Sequence, residues 1–187
     1  MPAVFLVSDT HFGHAGVCKF TDSKTNEKIR PWTDPDEMDE EMVERWNETV
    51  RPNDKVYHLG DVVINRKALS IMSRLNGDKV LIRGNHDIFR DDEYRKYFRE
   101  LRAYHVMNGM ILSHIPIHSD SLGRFGVNIH GHLHTGRVMN GNEIDTRYHC
   151  VCVEQTDFRP IIFEDVIKRI TAEGGEVGFK NGNGPIM

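Results

Sequence analysis

The chain has 187 residues, enough for one domain with a sizeable core, and its 39% hydrophobic and 28% charged residues suit a globular rather than a disordered chain. A formal net charge of −4 leaves no global electrostatic footprint for nucleic acid, and the early apolar run "AVFLV" (3–7) is far too short for a membrane span or a signal peptide. The three cysteines, Cys18, Cys150 and Cys152, come without a secretory signal, which points to a reducing, cytoplasmic compartment and no disulfide framework.

In chain order, residues 3–7 read as a strand that ends at "SDTH", and residues 14–33 show no period and read as an inserted loop. The segment "DPDEMDEEMVERWNETV" predicts a helix: Asp34 as N-cap, Pro35 at the first helical position, Glu37 completing a capping box, and Met38, Met42, Trp46 and Val50 on one face. Strands follow at 55–59 ("KVYHL") and at "KVLI" (79–82), separated by a helix over 66–75 with Leu69, Met72 and Leu75 inward and Gly77 as its stop signal. Residues 91–102 carry Tyr94, Phe98 and Leu101 at helical spacing. "YHVM" and "MILS" flank Asn108-Gly109 as a hairpin. Further strands are expected at 127–130 and in "YHCVCV", with a last helix over 164–172. Cys150 and Cys152 read as small strand residues, since no second cysteine pair completes a zinc site, and Asn140-Gly141 is a turn or mobility signal. With no internal repeat or linker, the alternation describes one mixed α/β domain over 1–187, with 174–187 as a flexible tail.

Five strand ends carry the same chemistry: Asp9-Thr10-His11, Gly60-Asp61, Gly84-Asn85-His86-Asp87, His114, and Gly131-His132-Leu133-His134. Ligands of open α/β sheets gather beyond the carboxyl ends of strands, so these segments can converge on one site. In extended chain, residues two apart share a side, so Asp9 and His11 can grip one ion, as can His132 and His134, or two neighbouring ions. Imidazole and carboxylate without thiolate suit manganese, iron, zinc or nickel rather than calcium. If Asp61 bridges, Asp9, His11, Asp61, Asn85, His114, His132 and His134 give four bonds to each of two ions. Two dications against two carboxylates leave a charge of about +2, a receptor for a phosphate ester by two-metal logic.

The series D-x-H, G-D, G-N-H-D, H and G-H-x-H, in that order over residues 9–134, resembles the calcineurin-like metallophosphoesterase superfamily. Together with "RPWTDPDEMDEEMVERWNETVRPNDKVYHLGD" it looks like the small bacterial and phage branch, in which such a helix separates the first two motifs. The resemblance implies a four-layer α/β/β/α sandwich of two mixed sheets. By motif, Asp9, His11, Asp61 and His134 resemble the ligands of one metal, and Asp61, Asn85, His114 and His132 those of the other. His86 matches the catalytic histidine, and Asp87 the carboxylate that orients it. The implied cofactor is a pair of divalent ions, with manganese ahead of iron, zinc or nickel. The implied reaction is attack by a metal-bridging hydroxide on a phosphoester, with a phosphodiester or nucleotide favoured. Rival readings are a phosphomonoesterase, and a non-catalytic metal-binding scaffold or nucleic-acid-processing subunit on the same fold. "GDVVIN" and "GNHD" depart from the V-D-R-G and G-N-H-E patterns of protein Ser/Thr phosphatases, which weakens a phosphoprotein substrate. The expected partner is a small phosphoester or nucleotide and not a membrane. Arg30, before Pro31, is a candidate substrate contact. The other histidines are expected to be structural, with His14 and His118 the exceptions that could brace ligands. Trp32 and Trp46 are expected in the core.

Overall fold

The computed structural model describes residues 2–22 and 25–178. The first sheet has the order β11-β1-β2-β3-β4, with β1 (Val4–Val7), β2 (Lys55–His58), β3 (Asp78–Ile82) and β4 (Glu100–Arg102) parallel and β11 (Ile161–Ile162) antiparallel at its edge. The second has the order β10-β7-β6-β5, with β6 (Met110–Ser113), β7 (Asn128–His130) and β10 (Tyr148–Cys150) parallel and β5 (His105–Met107) antiparallel. A small hairpin, β8 (Met139–Asn140) and β9 (Glu143–Ile144), stands apart from both.

Strands of the first sheet are buried on both faces, so their apolar side chains alternate between two cores. Leu6, Tyr57, Leu59, Val80 and Ile82 face Met110, Leu112, Val127, Ile129 and Val151 between the sheets. Phe5, Val7, Val56 and Leu81 point the other way, onto Met38, Met42 and Trp46 of α1 (Pro35–Thr49) and Leu69 and Met72 of a 3₁₀ segment, Arg66–Ser73. The outer face of the second sheet carries a thinner cover, with Ile111 and Tyr148 packed on Leu122 of the one-turn helix α3 (Ser119–Leu122). Phe163, Val166 and Ile170 of α4 (Phe163–Ala172) join the inter-sheet core. Two mixed sheets with helices around them match the expected class. Among the described residues, no helix is long and apolar enough to cross a membrane.

Several expectations hold in detail. Asp34 caps α1 by accepting from the Asp36 N–H at 2.9 Å, and Trp32 and Trp46 are buried. Asn108 and Gly109 both have positive φ, as a primed hairpin turn requires. Two expectations are corrected. The helix over 66–75 is a 3₁₀ segment ending at Ser73. Residues 91–102 form one helical turn, α2 (Asp91–Tyr94), and then β4, because Glu100–Arg102 pairs with the edge of β3 and this ladder overrides the helical spacing. The turn signal at Asn140-Gly141 is met: Gly141, at φ 63°, follows the last residue of β8 and opens the turn into β9. At the chain end, the Gly126 N–H donates to the Gly178 carbonyl at 3.0 Å, and residues 179–187 lie outside the described residues.

Candidate metal centre

The ladder between β1 and β2 does not stop at the strand ends. Asp9 N–H donates to Gly60 O at 2.9 Å, His11 N–H to Asp61 O at 3.1 Å and Phe12 N–H to Val62 O at 3.0 Å, which brings Asp9, His11 and Asp61 side by side. The second sheet joins the same rim: the His132 N–H donates to Asp9 Oδ2 at 2.8 Å, and the Val153 N–H to Ser8 O at 3.1 Å. Close approach decides where glycine must sit. A Cβ on Gly84 would lie 2.2 Å from Asp61 Oδ1, and one on Gly131 would lie 2.0 Å from Ser8 Oγ.

Two clusters result. Asp9, His11 and His134 present one ligand atom each within 4.8 Å of one another, and Asp61, His114 and His132 do the same. His132 and His134 therefore part company, one to each cluster. Asp61 Oδ2 lies between the two, 3.7 Å from His11 Nε2 and 3.4 Å from His114 Nε2. Asn85 joins the second cluster, its Oδ1 2.9 Å from His114 Nε2.

The segments that carry these residues are not extended, contrary to the spacing argument. Asp9, His11, Asp61, His132 and His134 all have φ between 51° and 69°, and they are five of the nine non-glycine residues with positive φ among those described. Such backbone costs on the order of 1–3 kcal/mol per residue and persists only where the surroundings over-determine it. The hydrogen bonds just described supply that constraint.

The atoms turned inward are acceptors. Asp9 Oδ2 is occupied, accepting from Ser8 Oγ at 2.5 Å and from the Cys152 thiol at 3.1 Å as well as from His132, while Asp9 Oδ1 is buried without a hydrogen-bond partner. His114 Nδ1 sits 2.8 Å from the Leu59 carbonyl, which can only accept, so Nδ1 carries the proton and the Nε2 lone pair faces Asn85 Oδ1 and Asp61 Oδ2. His134 is set in the same sense: its Nδ1 lies 2.8 Å from Glu154 Oε1 and its Nε2 3.9 Å from Asp9 Oδ1. Lone pairs of carboxylate, imidazole and amide converging in two adjacent groups, one with an orphaned buried oxygen, fit a pair of divalent cations. Burial acts to raise the carboxyl pKa of both Asp9 and Asp61, yet the neighbouring imidazoles (His11 and His114 for Asp9, His114 for Asp61), with the hydrogen bonds of Ser8 to Asp9 and of the His86 N–H to Asp61, hold both below the ordinary range. Burial acts to lower the His114 pKa, and the hydrogen bond and charge of Asp61 together with the charge of Asp9 push it up instead.

His58 braces the floor. It accepts from the Gly60 N–H at Nδ1 (3.2 Å), so its Nε2–H donates to Thr10 Oγ1 (3.0 Å), whose own proton goes to Val62 O (2.9 Å). Full burial pushes its pKa down to about 3, and this histidine stays neutral.

His86 is exposed at the mouth, its ring 5.8 Å from that of His11, and its N–H donates to Asp61 Oδ1 at 2.9 Å. Asp87 does not orient it. The buried Asp87 carboxylate accepts from the Asp61 and Gly84 N–H groups at 2.8 Å and the Val62 N–H at 3.0 Å, so it ties β2's end to β3's end, and no described hydrogen bond joins it to the His86 ring. Arg30 is corrected too. It is fully buried and its donors go to Glu154, Asp9 O and Thr10 O, beneath the site and out of reach of a substrate. His14 stands beside the site, its ring 5.7 Å from His11, whereas His118 is exposed and accepts from Asp120 N–H at the start of α3. Sequence reasoning missed Glu154 and Cys152. Neither falls in a motif, and Cys152 lies outside the strand to which "YHCVCV" assigned it.

Strand ends that pool carboxylates and imidazoles from two packed sheets define a two-sheet sandwich with a candidate two-metal centre at its rim. The family model of the calcineurin-like phosphoesterases matches residues 3–174, and the chain belongs to that family. It is 34% identical over 183 residues to the uncharacterized protein MJ1445 of Methanocaldococcus jannaschii, covering 95% of each chain. It is also 36% identical over 92 residues to the Gene 66 protein of Mycobacterium phage D29, covering 46% of this chain and 41% of that one. The fold is that of a protein of unknown function, AQ665, from Aquifex aeolicus: TM-score 0.63 and 24% identity over 90% of this chain and 100% of the other.

Proposed function

We propose that the protein is a dinuclear metal-dependent phosphoesterase, with phosphodiesters or nucleotides as preferred substrates and manganese as the first metal to test. The observation that carries this reading is the place of Asp61 Oδ2, within 3.7 Å of His11 Nε2 and 3.4 Å of His114 Nε2, where one oxygen serves both clusters. Asp9, His11, His134 and Asp61 would hold one ion, and Asp61, Asn85, His114 and His132 the other. Bound there, two divalent ions supply an acidified water as nucleophile and positive charge against the phosphoryl oxygens.

The chain's own residues do the rest. His86, at the mouth and fixed through its N–H to Asp61, is placed to give a proton to the departing oxygen. Asp87 holds the Asp61 and Gly84 backbone that carries both roles. Preference for a diester or nucleotide draws support from the surroundings, since such a substrate keeps an organic group beyond the reacting phosphorus. An open groove of about 690 Å³ runs from Phe20 past Leu133 to Met139 and Ile144. The Phe20 ring stands edge-on to His134 at 6.3 Å, and Ile88 and Ile115 lie exposed just beyond His86 and His114.

The test is a screen of metal-free and manganese-loaded protein against phosphomonoesters, linear diesters and cyclic nucleotides. Manganese-dependent turnover with diesters ahead of monoesters is expected. Two bound metals and no hydrolysis of any ester would overturn the reading.

A further inference from the structure

Arg30 and Glu154 are 124 positions apart, and both side chains are essentially inaccessible, at 0% and 1% exposure. Their contacts join into one network that converges on Glu154 Oε1, while Glu154 Oε2 is buried without a hydrogen-bond partner and Arg30 Nη1 also reaches Met38 Sδ at 3.4 Å. Arg30 Nε and Nη2 donate to Glu154 Oε1 at 2.9 and 2.7 Å, Nη2 also to Asp9 O at 2.6 Å, and Nη1 to Thr10 O at 2.9 Å. Glu154 Oε1 accepts in addition from His134 Nδ1 at 2.8 Å. The inserted loop thus sends its arginine under the site, where it meets the 3₁₀ turn Val153–Gln155.

We propose that the Arg30–Glu154 pair is the positioning device of one half of the centre, the half made by Asp9, His11 and His134. It acts at two points. Glu154 accepts the hydrogen bond of His134 Nδ1–H and so fixes the proton there, leaving Nε2 bare toward Asp9 Oδ1. Arg30 grips the Asp9 and Thr10 carbonyls, one on each side of the Thr10 Cα, and so holds the backbone that leaves Asp9 in its left-handed conformation at φ 59°. Neither residue touches substrate, and neither is a ligand. A buried guanidinium and carboxylate would each be costly alone, so the pair functions as a unit. The other half is held differently: the Nδ1 proton of His114 goes to the Leu59 carbonyl, part of the main chain, and the lone buried Asp87 carboxylate, not an ion pair, grips the Asp61 N–H. Damage to the pair is therefore one-sided.

The inference rests on the metallophosphoesterase reading for the identity of the ligands, and its test does not use turnover. Calorimetric titration with Mn²⁺ compares wild type with Glu154→Gln, Glu154→Ala and Arg30→Met. Two ions bind wild type. Partners of ligating histidines are worth ~10–100-fold in metal affinity, so Glu154→Ala and Arg30→Met should weaken one ion by about that factor and leave the other at its wild-type affinity. Glu154→Gln keeps an oxygen for the His134 N–H and should lose less. Imidazole ¹⁵N NMR of the metal-free proteins supplies the second readout: His134 protonated at Nδ1 in wild type and Glu154→Gln, and a mixture of tautomers in Glu154→Ala. Equal weakening of both ions, wild-type affinity in every variant, or an unchanged His134 tautomer in Glu154→Ala each overturns the proposal. If Ala and Met variants fail to fold, Glu154→Gln decides, through a selective loss at one ion. Failure of wild type to bind two Mn²⁺ would instead sink the phosphoesterase reading, and the tautomer measurement would still decide whether Glu154 sets His134.

Discussion

The two halves of the centre use nearly the same donors and are built differently. Around Asp9, His11 and His134 the structure is closed: Asp9 and His11 are buried, Asp9 Oδ1 has no hydrogen-bond partner, and the buried Arg30–Glu154 pair stands behind His134. Around Asp61, His114 and His132 the first two are just as buried, but Asn85 is exposed and supplies a neutral amide as one donor, so this half opens to the surface there. Ligand identity is a local matter of strand end and motif. Rigidity comes from what lies behind the ligand, and here that support is distributed unequally.

Asp61 is where the halves meet, and its loss gives the largest expected effect. Asp61→Asn places a neutral amide where one oxygen faces both clusters, so it should remove most bound metal and lower turnover by more than the ~10²-fold typical of losing a ligand's supporting partner. Elemental analysis showing two tightly held metals in this variant would refute the shared role. His86→Ala breaks the comparison another way, since His86 belongs to neither half. Metal content should stay near wild type while alkyl phosphoesters slow by roughly 10²–10⁴-fold, the usual range for general acid–base catalysis. Nitrophenyl esters, whose phenolate departs without help, should slow clearly less. An equal slowing of both esters would show that His86 acts on phosphoryl charge or substrate position.

These two sets were legible in the sequence to different degrees. Asp9, His11, Asp61, Asn85, His114, His132 and His134 could be picked out because each follows a strand and several follow a glycine that close packing demands. Their backbone could not: aspartate and histidine do not announce a left-handed conformation as glycine does, and it arises from contacts between remote segments. Asp87 was readable as important but not in its role, because its partners are main-chain N–H groups of residues 61, 62 and 84. Arg30 and Glu154 were opaque for a similar reason. An arginine in a loop and a glutamate after a strand look like surface residues until the fold buries them against each other. The same holds for β4, where edge pairing with β3 prevailed over the helical spacing of Phe98 and Leu101.

Cys152 gives a smaller test of the closed half. Sequence alone makes all three cysteines dispensable, yet the Cys152 thiol donates to Asp9 Oδ2 at 3.1 Å, while Cys18 is buried beside Met38 Sδ, away from Asp9. Cys152→Ser retains a donor and should bind metal like wild type. Cys152→Ala removes one of three donors to that oxygen and should weaken the Asp9 half by roughly 2- to 13-fold, given ~0.5–1.5 kcal/mol for a typical hydrogen bond. Competition titration against a fluorescent chelator resolves such a difference. Greater loss in Ser than in Ala would mean that packing, not donation, is what Cys152 contributes.

The smallest effect concerns the loop that leaves the closed half. The buried Asp39 carboxylate accepts twice from the Gly13 N–H, at 2.8 and 3.0 Å, two residues beyond His11. Burial pushes its pKa up to about 6; the Gly13 hydrogen bond opposes this, and the charges of Asp36 and Glu40 add to it. For an acid raised in the folded state, the stabilisation is fully present below the unfolded pKa of 3.8 and disappears as pH rises through about 6. Above that, the ionised carboxylate is a burden on the fold. Asp39→Asn keeps an oxygen for Gly13 and carries no charge. It should therefore be more stable than wild type at pH 8 by roughly 1–3 kcal/mol, from about two pKa units at ~1.4 kcal/mol each, and indistinguishable near pH 4. Urea unfolding at the two pH values measures the difference. A variant less stable at pH 8 would show that the paired carboxylate contact with Gly13 outweighs the cost of burying its charge, and that the closed half draws on an anionic anchor at both of its ends.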